Sequence, residues 1–115
     1  MSSSRELAGH NGSGMMIDHG RGEIVYLSPR EGLAGLIEYG QVLFRGNITQ
    51  DFFDGVAYVF KKGCHPAPYR VFGNWPHDSD KLILEGASPV RDGCEVIEHT
   101  RDASSARLVI DLPHH

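Results

Sequence analysis

Apolar residues along this chain recur at every second position over short stretches, which is the period of a pleated strand and not of a helix. The clearest stretch is Val56-Ala57-Tyr58-Val59-Phe60, rich in β-branched and aromatic residues, opened by Asp54-Gly55 and stopped by Lys61-Lys62-Gly63. Val56, Tyr58 and Phe60 fall on one face of it, Ala57 and Val59 on the other. Residues 41–48 give a second strand, in which Val42, Phe44 and Ile48 share a face and Gly46 marks a bulge or a close neighbour. Residues 50–54 read as the hairpin loop between the two. Further strands are predicted over 23–28, 68–72, 81–86, 94–100 and 106–112, each near the usual strand length. In the last of these, Ala106, Leu108, Ile110 and Leu112 lie opposite Arg107 and Asp111.

The punctuation agrees with that pattern. Asp92-Gly93 is a two-residue hairpin signal, because a type I′ turn needs positive φ at both central positions. Pro89 lacks an amide donor, which puts its arm at a frayed position or an edge. Residues 101–105 would close a final hairpin. Helical spacing occurs only over 30–39, through Leu33, Leu36 and Ile37, and Gly32, Gly35 and Gly40 weaken it by roughly 1 kcal/mol for each glycine inside a helix. At most one short helical turn is expected there. The fold class is therefore all-β, a small antiparallel barrel or sandwich of about seven to eight strands. No repeat of fixed period is evident.

Composition narrows the picture without changing it. The chain has 115 residues, enough for one domain, and such a domain buries about two-thirds of the surface its unfolded chain would expose. Residues 1–14 are polar and Gly-rich and read as a flexible N-terminal tail, with 15–113 as a single β domain. The net charge of −4 disfavours a nucleic-acid partner, and no apolar run is long enough for membrane insertion. Met1 to Glu6 are not followed by an apolar stretch, so no secretory leader is expected in this chain. His114 and His115 are given no role.

Cys64 and Cys94 are an even number of thiols, 30 positions apart and both near predicted strand ends. A bond between them would contribute about 3–4 kcal/mol by chain entropy and would imply an oxidising compartment. Two free thiols or a pair of metal ligands are the alternatives. Cys64-His65 has the residue types of a nucleophile beside a base, yet neighbours on an extended chain point to opposite sides. A metal would have to draw on Cys64, His65, His77, Cys94 and His99, which show no ligand-pair spacing. No catalytic residue, metal site or cofactor is assigned.

Three other segments resolve to turns. His77-Asp78-Ser79-Asp80 carries the residue types of a hydrolase triad, but triads assemble from distant segments. It also lacks the further acidic position and the glycine of a calcium loop. Gly12-Ser13-Gly14 and Gly20-Arg21-Gly22 precede strands, not the helix that a phosphate-binding loop requires. Binding character is left to Trp75, with Tyr69 and His77 as candidate ligand-binding neighbours. An aromatic in a polar loop either stacks on a sugar or peptide or folds back to cap the end of the barrel. Arg45, Lys61, Lys62 and Arg70 make a middle section of positive charge, read as a solvated strand face.

Taken together, His10-Asn11-Gly12-Ser13-x-Met15, Pro29-Arg30-x-Gly32-Leu33, Leu43-Phe44-x-Gly46, Gly55-x-Ala57-Tyr58-x-Phe60, Gly63-Cys64-x-Pro66-x-Pro68-Tyr69, Leu84-x-Gly86-x-x-Pro89 and Cys94 resemble a β-rich bacterial domain of unknown function. That domain occurs in presumed envelope or secreted proteins, some with a caspase-like protease domain. The resemblance spans about residues 10–100, and the 101–105 loop departs from it. It carries no assigned activity. It implies an extracytoplasmic setting, periplasmic or secreted, and a bond between Cys64 and Cys94.

The expectation from sequence is a non-catalytic recognition or accessory module for a protein, peptide or glycan partner, presenting loops around Trp75 and the 10–15 segment. A small enzyme or metal-binding protein using Cys64, His65 and His77 is the first alternative. A purely architectural domain of a larger assembly is the second.

Overall fold

The computed structural model describes residues 5–31, 36–49 and 51–112. Ten strands account for most of it: β1 (Arg5–His10), β2 (Ser13–Asp18), β3 (Glu23–Ser28), β4 (Val42–Ile48), β5 (Phe52–Val59), β6 (Ala67–Asn74), β7 (Lys81–Glu85), β8 (Ser88–Asp92), β9 (Glu95–Thr100) and β10 (Arg107–Asp111). A 3-10 turn, Ser104–Ala106, leads into β10. Eight strands close an antiparallel barrel in the order β1-β10-β7-β6-β5-β4-β3-β2, and β8 and β9 form a separate two-stranded sheet. The chain is an all-β barrel, as its side-chain alternation predicts.

Alternation decides what fills the barrel. Met15, Ile17, Ile24, Phe44, Phe53, Val71, Leu82, Leu84 and Ile110 all point inward and are fully buried. The intervening positions, among them Arg45, Asp54, Arg70, Lys81, Glu85, Arg107 and Asp111, face outward. An eight-stranded barrel is just wide enough for side chains to fill it or to admit one small ligand. Large and small residues alternate across it: Ala57 lies in register between Phe44 on β4 and Tyr69 on β6. Gly46 and Gly55 form a cross-strand pair where β4 and β5 approach closely, and a methyl on Gly55 would sit 2.7 Å from the Gly46 Cα.

The two closing seams are thin. β1 meets β10 through the single pair Gly9↔Asp111, and β6 meets β7 through Phe72↔Glu85. By contrast, β5 and β6 pair over eight positions.

Several expectations need correction. Residues 5–14 are not a tail: they form β1, the first turn and the start of β2, and β1 is the strand that closes the barrel. The turn is Asn11-Gly12, with φ of 48° and 83°, the positive pair that a two-residue hairpin needs. β5 begins at Phe52, so the loop before it is shorter than 50–54. The hairpin at Asp92-Gly93 exists, but its central pair is Gly93-Cys94, with only Gly93 at positive φ. No final hairpin forms through 101–105, because β10 pairs with β7 and β1 while β9 pairs only with β8. Residues 32–35 of the expected helical turn lie outside the described residues, and 36–40 form turns and bends.

Candidate functional site

Antiparallel winding sorts the loops between two ends. The turn after β2, the β4–β5 loop and the β6–β7 loop lie at one end. The Asn11-Gly12 turn, the β3–β4 connection, the β5–β6 loop and the β8–β9 excursion lie at the other.

The first end is closed. Trp75 stacks on buried Phe53, with ring centres 5.8 Å apart and planes 9° from parallel, and His19 meets its edge at 5.6 Å. The Trp75 amide donates to the Asp51 carbonyl. His77 stands outside this plug, exposed, with its Nε2 2.9 Å from an Asp51 carboxylate oxygen. Trp75 is half-buried against the core, and its ring lies flat on Phe53.

The second end is open. A cavity of about 250 Å³ enters the barrel there, lined by His10, Tyr26, Tyr69, Ser105, Arg107 and Leu108 among others. A second cavity of about 150 Å³ adjoins it under Arg30, Leu36 and Ile37. His10, Asn11, Tyr26 and Phe60 line both. Tyr69, one of the three binding candidates read from sequence, belongs to this mouth. Trp75 and His77 belong to the far end, so the structure does not bring the three together.

Three polar side chains are buried at the mouth: His10 (7 % exposed), Tyr26 (4 %) and Tyr69 (4 %). His10 ends β1, and its Nδ1 donates to the Val109 carbonyl at 2.9 Å, adding a side-chain stitch to the thin β1–β10 seam. A carbonyl only accepts, so the proton is on Nδ1 and the Nε2 lone pair faces the Asn11 amide at 3.4 Å. The Tyr69 hydroxyl donates to the Ser105 carbonyl at 2.6 Å. Among the described residues, none accepts a hydrogen bond from the Tyr26 hydroxyl. Burial pushes the Tyr26 phenol up to about 12 against the opposing pull of the Arg30 guanidinium. Burial, with Tyr26 close by, also holds the Tyr69 phenol above the ordinary tyrosine value. Both are protonated donors at neutral pH.

One flank of the mouth is braced by the β8–β9 hairpin. Cys64 in the β5–β6 loop is bonded to Cys94 in the hairpin turn, with Cα atoms 5.3 Å apart. Lys61 Nζ donates to the Gly93 carbonyl at 2.9 Å. Arg91 Nη2 donates to the Val59 and His65 carbonyls at 3.0 Å each. Ser88 and Ser105 share a hydroxyl contact of 2.5 Å. Both thiols are therefore used in the crosslink, and His77 lies at the opposite end from Cys64. The Cys64, His65 and His77 constellation is not assembled. Among the described residues no three His, Cys, Asp or Glu side chains are grouped to hold a metal ion. Of the positive patch, Arg45 pairs with Glu23 and Arg70 with Asp54.

Sequence reading missed His10 as a buried residue, and it missed Tyr26 and the two arginines at the rim. The available signal was Asn11-Gly12 directly after His10, since a tight turn there places His10 at a strand end. No protein family, curated protein or solved structure matches the chain.

Proposed function

We propose that the chain is a non-catalytic recognition module that takes a small organic ligand into the mouth formed by His10, Tyr26 and Tyr69. The observation that carries this reading is the asymmetry of the barrel. One end is plugged by Trp75 on Phe53, while the other keeps a cavity with buried polar groups at its wall. Small-molecule sites are concave and mostly apolar, with a few fixed polar groups, and they favour barrel mouths. The volume of about 250 Å³ falls below the range for drug-sized ligands, which favours a compact ligand or the terminal group of a larger one.

The disulfide supports an extracytoplasmic setting, periplasmic or secreted, because such bonds persist in oxidising compartments. Among the described residues no helix is long and apolar enough to cross a membrane. The outward-facing charged side chains of the barrel wall argue against a lipid-facing surface. The enzyme alternative needs Cys64 as a thiolate, and the bond to Cys94 leaves none.

Amide chemical-shift mapping with a mixture of small neutral, anionic and cationic aromatic compounds tests the reading. Shifts concentrated at Asn11, Tyr26, Phe60, Tyr69 and Ser105 support it. Shifts concentrated at Trp75 and His77, or none with any compound, overturn it.

A further inference from the structure

The hydrogen-bonding groups around the mouth are not balanced between donors and acceptors. Three main-chain carbonyls of its lining residues are already engaged from within the protein. Val109 accepts from His10 Nδ1 at 2.9 Å, Ser105 from the Tyr69 hydroxyl at 2.6 Å, and Val59 from Arg91 Nη2 at 3.0 Å. The remaining imidazole acceptor, His10 Nε2, is covered by the Asn11 amide at 3.4 Å. Donors are left over. The Tyr26 hydroxyl has no acceptor among the described residues, and Ser104 brings a further hydroxyl to the rim.

Charge tells the same story. Among the described residues neither cavity is lined by an Asp or a Glu, although the chain carries 15 of them and a net charge of −4. Each cavity is lined by one arginine, Arg107 for the larger and Arg30 for the smaller. Arg30 lies over the first turn, where a methyl on Gly12 would meet its Cδ at 3.7 Å, and its charge is felt at Tyr26. Neither arginine makes an ion pair with a described residue. Glu85 stands opposite Arg107 in the β7–β10 register without reaching ion-pair distance. Elsewhere on the wall, Arg5, Arg21, Arg45, Arg70 and Lys81 are all paired with carboxylates.

We infer that the mouth is built for a small carboxylate on an apolar body, its anionic end held by Arg30 and the Tyr26 hydroxyl and its body on Leu43, Phe60 and Leu108. This rests on the reading of the mouth as a ligand site and names the chemistry that the site selects. An anion satisfies the surplus donors, and hydrogen bonds to a charged acceptor are about twice as strong as neutral ones. An ammonium ligand would meet the Arg30 guanidinium and no carboxylate among the described lining residues. A neutral ligand would leave donors without partners.

The test titrates the intact chain, at low salt, with benzoate, benzyl alcohol and benzylammonium, following the amides of Asn11, Tyr26 and Ser105. Benzoate binds about tenfold tighter than benzyl alcohol, and benzylammonium binds weakest. Arg30→Gln, at an exposed position, weakens benzoate about three- to tenfold and changes benzyl alcohol less than about twofold. A thermal midpoint matching the parent confirms that the variant folds. Equal binding of benzoate and benzyl alcohol at the mouth overturns the anion assignment and leaves the ligand site standing. Binding of none of the three overturns both.

Discussion

At the scale of single residues, the mouth is governed by where polar atoms find partners. Tyr26 faces inward on β3 as any residue in its register does, and its ring meets Phe60 edge-on at 6.1 Å. Its hydroxyl ends in the cavity instead of on a carbonyl, so burial alone raises its pKa. The folded phenol ionises near 12, whereas an unfolded tyrosine ionises near 10. Below pH 10 both states keep the proton and stability is unaffected. As pH rises from 10 towards 12 the unfolded chain ionises first, so this contribution to stability is progressively lost. Tyr26→Phe removes it. Thermal midpoints of the variant therefore fall less steeply than those of the parent between pH 10 and 12, and parallel curves contradict the buried hydroxyl.

At the scale of elements, the β8–β9 hairpin is held from one side only. Its β9 strand is exposed from Glu95 to His99, with Val96 and Ile97 open to solvent, and it pairs with nothing but β8. The bond to Cys64 ties this excursion to the β5–β6 loop across 30 positions. Replacing both cysteines by serine should cost about 3–4 kcal/mol, read as a lower denaturation midpoint. Amides of β8 and β9 should then exchange faster, while those of β5 keep their protection. An unchanged midpoint contradicts the strap role.

The elements also show how far the sequence could be read. Alternation located β3 to β7, β9 and β10 in at least part, because a barrel buries one face of each strand and leaves the other wet, whereas β8 was marked only by the turn signal at Asp92-Gly93. The cysteine pair was legible for the same reason, as both thiols fall in turns. β1 was not. Its inward register holds Glu6, Ala8 and His10 while Leu7 is exposed, so it joins the barrel through main-chain pairing with β2 and not through apolar burial. The partner of β10 was equally hidden. Adjacent strands usually pair, and nothing in residues 88–105 announces that β8 and β9 leave the sheet before the chain returns. The ligand mouth suffers from both gaps, since it gathers residues from β1, β3, β6 and β10.

At the scale of the whole molecule, the barrel is a container with one sealed end. Phe44, Phe53 and the overlying Trp75 occupy the capped half, with Trp75 stacked on Phe53 and Phe44 tilted against it. The open half is lined instead by Leu43, Leu108, the two tyrosines and His10. An acidic molecule thus presents an opening with Arg30 at its edge. The most direct measurement of that claim is a crystal structure of the chain grown with 4-bromobenzoate, in which the bromine marks the ligand by its anomalous signal. The account predicts one bromine site inside the barrel among Tyr26, Leu43 and Leu108, with the carboxylate turned towards Arg30. A bromine beside Trp75 and His77, or an empty mouth in a crystal saturated with the compound, would contradict it.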